Sequence, residues 1–147
     1  MPDSYVELPD IPMMRVKADM MGKGPPAAFD RLESKLPTLK GRKFYGVFQQ
    51  AAGGEPVFHA CVAQVESDDP KAMGLETWVL PGGRYVSRKV MDWEKVVREG
   101  KLPGMFDAMA QEHMQELLHR DLFSVEYYRS MREMHMLLPV KPLERTR

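Results

Sequence analysis

The stretch PGGRYVSRKVM, residues 81–91, repeats an earlier part of the chain. Its opening PGGR matches PMMR at residues 12–15, and each tetrad begins a segment typical of a β-strand. Further along, PGMFDAM at residues 103–109 matches PAAFDRL at residues 26–32. Both of these segments open a helix, because proline suits the first helical turn and apolar residues follow at i, i+3 spacing. The chain is therefore built from a unit that occurs twice.

Two strand-like runs follow each predicted helix. They are KFYGVFQQ and PVFHACVAQV in the first unit, and LFSVEYYR and EMHMLLPV in the second. The repeated unit is thus strand–helix–strand–strand, with a first module at about residues 5–65 and a second at about 75–141 of one 147-residue domain. We predict an α+β fold in which the two modules have a pseudo-two-fold arrangement around a central ligand cleft. The second helix is predicted to run from Pro103 to His119.

The second module has a longer connection between its first strand and its helix, MDWEKVVREGKLPG at residues 91–104. This insertion contains Trp93 and Glu94. Two interpretations are open: a lid that folds over one edge of the domain, or a surface loop whose tryptophan fills a gap.

Composition excludes several classes of protein. Apolar residues make up 44 % of the chain, which suits a folded core. Basic and acidic residues both number 21, so there is no basic excess of the kind that binds nucleic acid. No apolar run reaches the roughly 20 residues that span a bilayer, and the N-terminus lacks the features of a signal peptide. Cys61 cannot form an intrachain disulfide and is expected to be a small buried residue, so we expect a cytoplasmic protein.

The stretch FSVEYY, residues 123–128, places a carboxylate in a strand that is otherwise suited to burial. Strand alternation puts Phe123, Val125 and Tyr127 on one face. Glu126 therefore shares the other face with Ser124 and Tyr128. From alternation alone, that face meets either water or a pocket.

The repeated PxxR, the YGVF at residues 45–48, the PGGRY at 81–85, the VEYY at 125–128 and the LLPVK at 137–141 together resemble the GyrI-like small-molecule-binding domain. This family is also called the bacterial transcription activator effector-binding domain. The resemblance covers about residues 5–141. It implies the fold deduced from the repeat and a central pocket that binds lipophilic, often cationic compounds.

The resemblance also implies which residues form that pocket. Glu126 matches a glutamate at the bottom of the family's aromatic-lined pocket, where a desolvated carboxylate would hold a cation. Tyr128 matches the tyrosine two residues further on. The expected ligand-binding residues are Glu126, Tyr128, Trp93, Tyr45, Phe48 and Met136. Tyr45 and Phe48 fall on opposite faces of their strand, so at most one of them is expected to line the pocket.

Two departures from the family pattern are evident. His135 occupies a position on the last strand where relatives often carry a glutamate, which places any role of that second carboxylate in doubt. No helix-turn-helix segment is recognisable ahead of the first module, so we expect a stand-alone domain that does not itself bind DNA.

Other chemistry finds little support in the sequence. There is no GxSxG motif and no metal-ligand spacing, and His59, His113, His119 and His135 are expected to be structural or surface residues. We expect no metal and no cofactor.

Two alternative functions remain, and the sequence leaves open whether the protein is an enzyme. In one, Glu126 and Tyr128 act as an acid/base pair in a hydrolase of electrophilic cyclopropanoid compounds, with Trp93 as a wall. In the other, the protein inhibits a protein partner, as the gyrase inhibitor that gives the family its name does.

Overall fold

The computed structural model describes residues 3–50, 53–118 and 122–143. These residues form eight strands: β1 (Ser4–Leu8), β2 (Ile11–Lys17), β3 (Phe44–Gln50), β4 (Val57–Ala63), β5 (Glu76–Leu80), β6 (Gly83–Met91), β7 (Leu122–Tyr128) and β8 (Glu133–Pro139). They also form four helices: α1 (Gly24–Ser34), α2 (Pro70–Met73), α3 (Trp93–Arg98) and α4 (Leu102–Glu112).

All eight strands belong to one antiparallel sheet in the order β1-β6-β8-β7-β3-β4-β2-β5. The sheet is strongly curled into a half-barrel, so the predicted α+β fold is confirmed. The six strands of the predicted repeat occupy the middle of the sheet, and β1 and β5 form its two edges.

The two edge strands connect the halves of the sheet. β1 precedes β2 in the chain but pairs with β6, where Leu8 lies opposite Gly83. β5 precedes β6 in the chain but pairs with β2, where Leu80 lies opposite Ile11. Each half of the sheet is therefore completed by a strand that is joined in sequence to the other half.

The two faces of the sheet have different packing. On one face, α1 covers a cluster that includes Met14, Phe58 and Val62. On the same face, α4 covers a second cluster that includes Met134 and Met136. The opposite face carries a single cluster that spans both halves, with buried residues Met13, Tyr45, Val47, Cys61, Leu80, Tyr85, Val125 and Leu137. We call these the helix face and the open face.

The second helix is shorter than the sequence predicts. Leu102, Phe106 and Met109 are buried on one side of α4, but the helix ends at Glu112. Beyond this point the imidazole of His113 hydrogen-bonds to Asp3, and the backbone N–H of Leu118 donates to the carbonyl of Pro139. The chain is thus drawn into contact with the end of β8. His119, at the predicted end of the helix, lies outside the described residues.

Two further expectations concern single features. Cys61 is fully buried on the open face, as predicted. Within the described ranges, the helices are all too short or too polar to cross a membrane.

Candidate functional site

Glu126 lies in the middle of the sheet, on the helix face. It is opposite Gly46 of β3 on one side and opposite Met136 of β8 on the other. Phe58 belongs to the cluster under α1, whereas Met136 belongs to the cluster under α4. The carboxylate therefore sits at the seam between the two halves of the domain.

The Glu126 side chain is buried and has little polar support. The residue is 9 % exposed. Within the described part of the chain, its only hydrogen bond comes from the Tyr128 hydroxyl, which donates to Oε1, and it forms no ion pair. Burial raises the pKa of Glu126 to about 7, although the bond from Tyr128 acts in the opposite direction. At neutral pH the site thus holds a carboxyl group that is balanced between its acid and its anion.

Tyr128 forms the aromatic wall next to this carboxyl group. Burial, together with the neighbouring Glu126, raises the pKa of Tyr128 well above its ordinary value, so the hydroxyl remains a proton donor. The Phe29 ring of α1 contacts Tyr128 edge-on, with ring centroids 5.4 Å apart. Trp93 contacts it from the α4 side at 4.9 Å. Phe58 extends the wall, 6.2 Å from Phe29.

The insertion that carries Trp93 is anchored to the turn between β7 and β8. Indole Nε1 of Trp93 donates to the carbonyl of Ser130 at 3.0 Å. The backbone N–H of Asp92 donates to the carbonyl of Arg132 at 2.6 Å. Asp92 itself adopts a left-handed conformation, with φ of 52°, which turns the chain from β6 into α3. The insertion is thus held by the same hairpin that carries Glu126 and Tyr128.

The structure brings together most of the residues predicted from the sequence. Trp93, Tyr128 and Met136 all adjoin Glu126 or its hydrogen-bond partner. Phe48 lies on the same face, two residues from Gly46 and opposite Ser124, and packs against the cluster under α1.

Tyr45 lies apart from this group. It is buried on the open face, where its ring stacks on Tyr127 with centroids 4.9 Å apart. Burial raises the pKa of Tyr45 to about 12. Of the pair formed by Tyr45 and Phe48, only Phe48 therefore lies on the same face as Glu126.

Sequence reasoning missed three residues of this site: Gly46, Phe29 and Phe58. A Cβ atom on Gly46 would come within 2.7 Å of the Phe58 ring and 3.1 Å of the Tyr128 hydroxyl oxygen. The glycine leaves room for both groups. The repeat carried a signal for Phe29, because PAAFDRL and PGMFDAM align it with Phe106, which is also part of the core.

His135, the departure from the family pattern, points away from Glu126. It lies on the open face, edge-on to Tyr127 at 5.9 Å, and its Nε2 is 2.6 Å from a carboxylate oxygen of Glu133. The imidazole therefore does not replace a second carboxylate beside Glu126.

Among the described residues, one group of side chains has the spacing of a metal site. Ligand atoms of Asp3, Glu112 and His113 lie within 4.8 Å of one another. The Arg88 guanidinium, however, donates two bonds to Asp3, each of 2.7 Å, and another to Glu112. A cation from the chain already neutralises these carboxylates, so we interpret the group as an ion-pair network that fastens β1 to α4.

Neither a protein-family model nor a curated protein matches the chain. Solved structures do. SAV2435, solved with bound tetraphenylphosphonium, is 12 % identical, covers 96 % of this chain and 94 % of its own, and has a TM-score of 0.66. The C-terminal domain of EcmrR is 11 % identical to this chain, and the match covers 97 % of this chain and 98 % of that domain, with a TM-score of 0.60. A hydrolase from Listeria innocua is 12 % identical, and the match covers 95 % of this chain and 91 % of the hydrolase, with a TM-score of 0.58. These likenesses confirm, at the level of the fold, the predicted resemblance to GyrI-like effector-binding domains.

Proposed function

We propose that this protein binds lipophilic, often cationic small molecules against Glu126, and so sequesters or senses such compounds. Glu126 supplies the charge, and Tyr128, Trp93 and Phe29 supply the aromatic wall. Met136 completes the surroundings with a flexible, polarizable side chain that adapts to ligands of different shape.

The observation that carries this proposal is the buried carboxyl group without a cation. In most proteins a buried carboxylate is paired, because leaving it unpaired costs several kcal/mol. In the described residues, Glu126 receives one hydrogen bond from a neutral hydroxyl and no ion pair. A delocalised organic cation would supply the missing charge and would also contact the aromatic faces of Tyr128 and Trp93.

The comparison with SAV2435 supports the choice of ligand. That protein shares the fold and was solved with tetraphenylphosphonium, a lipophilic cation. Sequence identity of 12 % does not transfer the ligand by itself. The support lies in the agreement between the bound cation of SAV2435 and the unpaired buried charge of this chain.

The test is a fluorescence titration with the lipophilic cation rhodamine 6G at pH 8, followed by displacement with tetraphenylphosphonium. We expect Glu126→Gln to weaken binding by about tenfold or more, because a desolvated ion pair is replaced by a neutral contact. Glu66→Gln, which changes an exposed carboxylate, is the matched control and should bind like the parent. Equal affinities of the parent and Glu126→Gln would remove Glu126 from the site.

The raised pKa of Glu126 adds a second signature. Below a pH of about 7 the carboxyl group is mostly protonated, and a cation must first displace that proton. The affinity of the parent should therefore fall about tenfold between pH 8 and pH 6, whereas that of Glu126→Gln should be flat over the same range.

The same pair of residues also favours a second candidate function, the hydrolysis of electrophilic cyclopropanoid compounds. A carboxyl group with a pKa of about 7 suits general base catalysis near neutrality, and the Tyr128 hydroxyl is a proton donor beside it. Glu126 would take a proton from water as the C–O bond forms, and Tyr128 would donate one to the oxygen that accepts the electrons of the broken C–C bond. Mass spectrometry should then detect a product heavier by one water with the parent and none with Glu126→Gln.

A further inference from the structure

A separate cavity of about 260 Å³ lies at the ends of β1, β6 and β8. All five residues of the PGGRY motif, residues 81–85, contribute to its lining, together with Glu7 and Phe123 among others. The residues proposed for the Glu126 site do not appear among the described residues that line it. The proposed function thus leaves both the motif and the cavity unused.

Hydrogen bonds within the chain fix the PGGRY segment beside the cavity. The Gly82 N–H donates to the Asp10 carboxylate at 2.6 Å, and a Cβ on Gly82 would come within 2.7 Å of the Leu8 carbonyl oxygen. The Tyr85 hydroxyl donates to the Pro81 carbonyl at 2.6 Å, and Tyr85 is 2 % exposed. Because these contacts are made within the chain itself, binding here would cost little ordering of the chain.

Two opposite charges line this cavity and form no salt bridge with each other. Arg84 and Glu7 are direct partners in the ladder between β6 and β1. In the part of the chain that the structure describes, neither forms a salt bridge, although the Arg84 charge acts at longer range on Glu116. The Arg84 guanidinium lies over the Tyr5 ring, 4.0 Å from its centroid, and that contact uses its flat face and leaves the N–H edge available.

We propose that this cavity binds a small zwitterion, an α-amino acid with an apolar side chain. The ligand carboxylate pairs with the Arg84 guanidinium, and the ligand ammonium pairs with Glu7. Tyr85 and Phe123 provide apolar walls for the side chain. A simple organic anion would not contact Glu7, and a simple cation would not contact Arg84, so the zwitterion is the class that engages both charges.

The size and place of the cavity agree with this ligand class. Its volume is just below the roughly 300–1,000 Å³ of pockets for drug-sized ligands, which suits a single small molecule. Tyr85 belongs to the open-face cluster, whereas Arg84 alternates with it and has the parity of Val86 on the helix face, so residues of both faces border the cavity at this end of the sheet. Because the lining of the cavity shares no residue with the proposed Glu126 site, the inference is independent of the proposed binding of lipophilic cations.

The experiment is an NMR titration of the full chain that follows the backbone amides of Gly82 and Gly83. The three probes are phenylalanine, phenylacetate, which lacks the ammonium, and phenethylamine, which lacks the carboxylate. We expect phenylalanine to give saturable shifts at the lowest concentration. Arg84→Gln should weaken the binding of phenylalanine and of phenylacetate by about tenfold or more. Glu7→Gln should weaken the binding of phenylalanine, and it should leave the binding of phenylacetate unchanged or make it tighter.

Lys89→Gln, an exposed change on the same strand, is the control and should bind all three probes like the parent. If Arg84→Gln does not fold, Arg84→Lys keeps the charge but loses the forked donor geometry, and it should show intermediate affinity. Saturable rhodamine 6G binding should be unchanged in Arg84→Gln. The proposal is overturned if phenylalanine gives no saturable shift at Gly82 and Gly83, if the Arg84 variant binds it equally, or if phenylacetate binds the parent more tightly than phenylalanine.

Discussion

Gly46 and Glu126 lie directly opposite each other in the ladder between β3 and β7. The glycine contributes no side chain to the helix face at this point. The space above it is taken by the Phe58 ring and by the Tyr128 hydroxyl, which bonds to Glu126. The glycine opposite Glu126 therefore leaves the space that these two groups occupy next to the buried carboxyl.

We predict that Gly46→Ala destabilises the protein by about 1–3 kcal/mol, because the new methyl group would lie 2.7 Å from the Phe58 ring. Rhodamine 6G affinity should fall as well, since the Tyr128 hydroxyl oxygen is 3.1 Å from the same methyl position. Urea denaturation and dye titration measure the two effects. Gly104→Ala is the matched control, because open space surrounds that position in α4 and the change should be neutral or stabilising.

Glu126 should also govern how stability depends on pH. Its pKa is about 7 when folded and ordinary, near 4.5, when unfolded, so the unfolded chain loses this proton first as pH rises. The free energy of unfolding should therefore fall between about pH 4.5 and 7, by about 3 kcal/mol from this group alone. Above pH 7 this contribution should stay constant.

The measurement is urea denaturation of the parent and of Glu126→Gln at pH 5 and pH 8. The difference between the two proteins should change by about 3 kcal/mol, with the variant relatively more stable at pH 8. A difference that is the same at both pH values would mean that Glu126 ionises as freely in the folded protein as in water.

Trp93→Ala should weaken rhodamine 6G binding by roughly tenfold, because it removes the ring that contacts Tyr128 at 4.9 Å. Val97→Ala changes an exposed residue on the same short helix and should leave binding unaltered. Deletion of residues 93–100 extends the test to the whole insertion. If the deletion leaves affinity unchanged, the insertion is neither a lid nor a wall.

His113 should stabilise the protein most at low pH. Burial opposes its protonation, but hydrogen bonds to Glu116 and Asp3 outweigh burial and raise the pKa of His113. The distances to these carboxylates are 2.7 and 2.6 Å, and only the imidazolium can donate to both. Its contribution is complete below the ordinary histidine pKa and is lost as pH rises through the raised value.

His113→Gln should therefore cost about 1–2 kcal/mol at pH 6 and less at pH 9. Arg88 also bonds to Asp3 and remains charged at both pH values, so it does not produce this difference. Thermal or urea denaturation at the two pH values decides the matter. A loss of stability that is equal at both would show that His113 acts through packing alone.

Local signals in the sequence were sufficient for the two longer helices, α1 and α4, and for the face of Glu126, but not for the short helices α2 and α3. Proline and apolar spacing predicted α1 and α4, and strand alternation separated Glu126 from Val125 and Tyr127. The sequence does not predict β1 and β5, because each has only five residues, most of them exposed, and neither shows a clear apolar period.

The remaining parts of the site depend on long-range packing. Strand alternation places Tyr45 and Phe48 on opposite faces of β3. Only the pairing of Gly46 with Glu126 decides which of the two lies on the same face as Glu126. The contact of Phe29 with Tyr128 depends on how α1 docks on the sheet. No pattern within a single segment encodes either relationship.

The exchanged edge strands govern the order in which the chain can fold. β1 is synthesised before the other strands, but its partner β6 is synthesised only after β5. Ser4 therefore cannot pair until Ser87 has been synthesised. β2, in turn, lacks one neighbour until β5 has been synthesised. Contacts so distant in sequence slow the search for the native state, and neither half has a complete sheet to fold upon alone. We therefore expect the domain to form late and in a single cooperative step, with the free edge of β2 as the surface most in need of protection during synthesis.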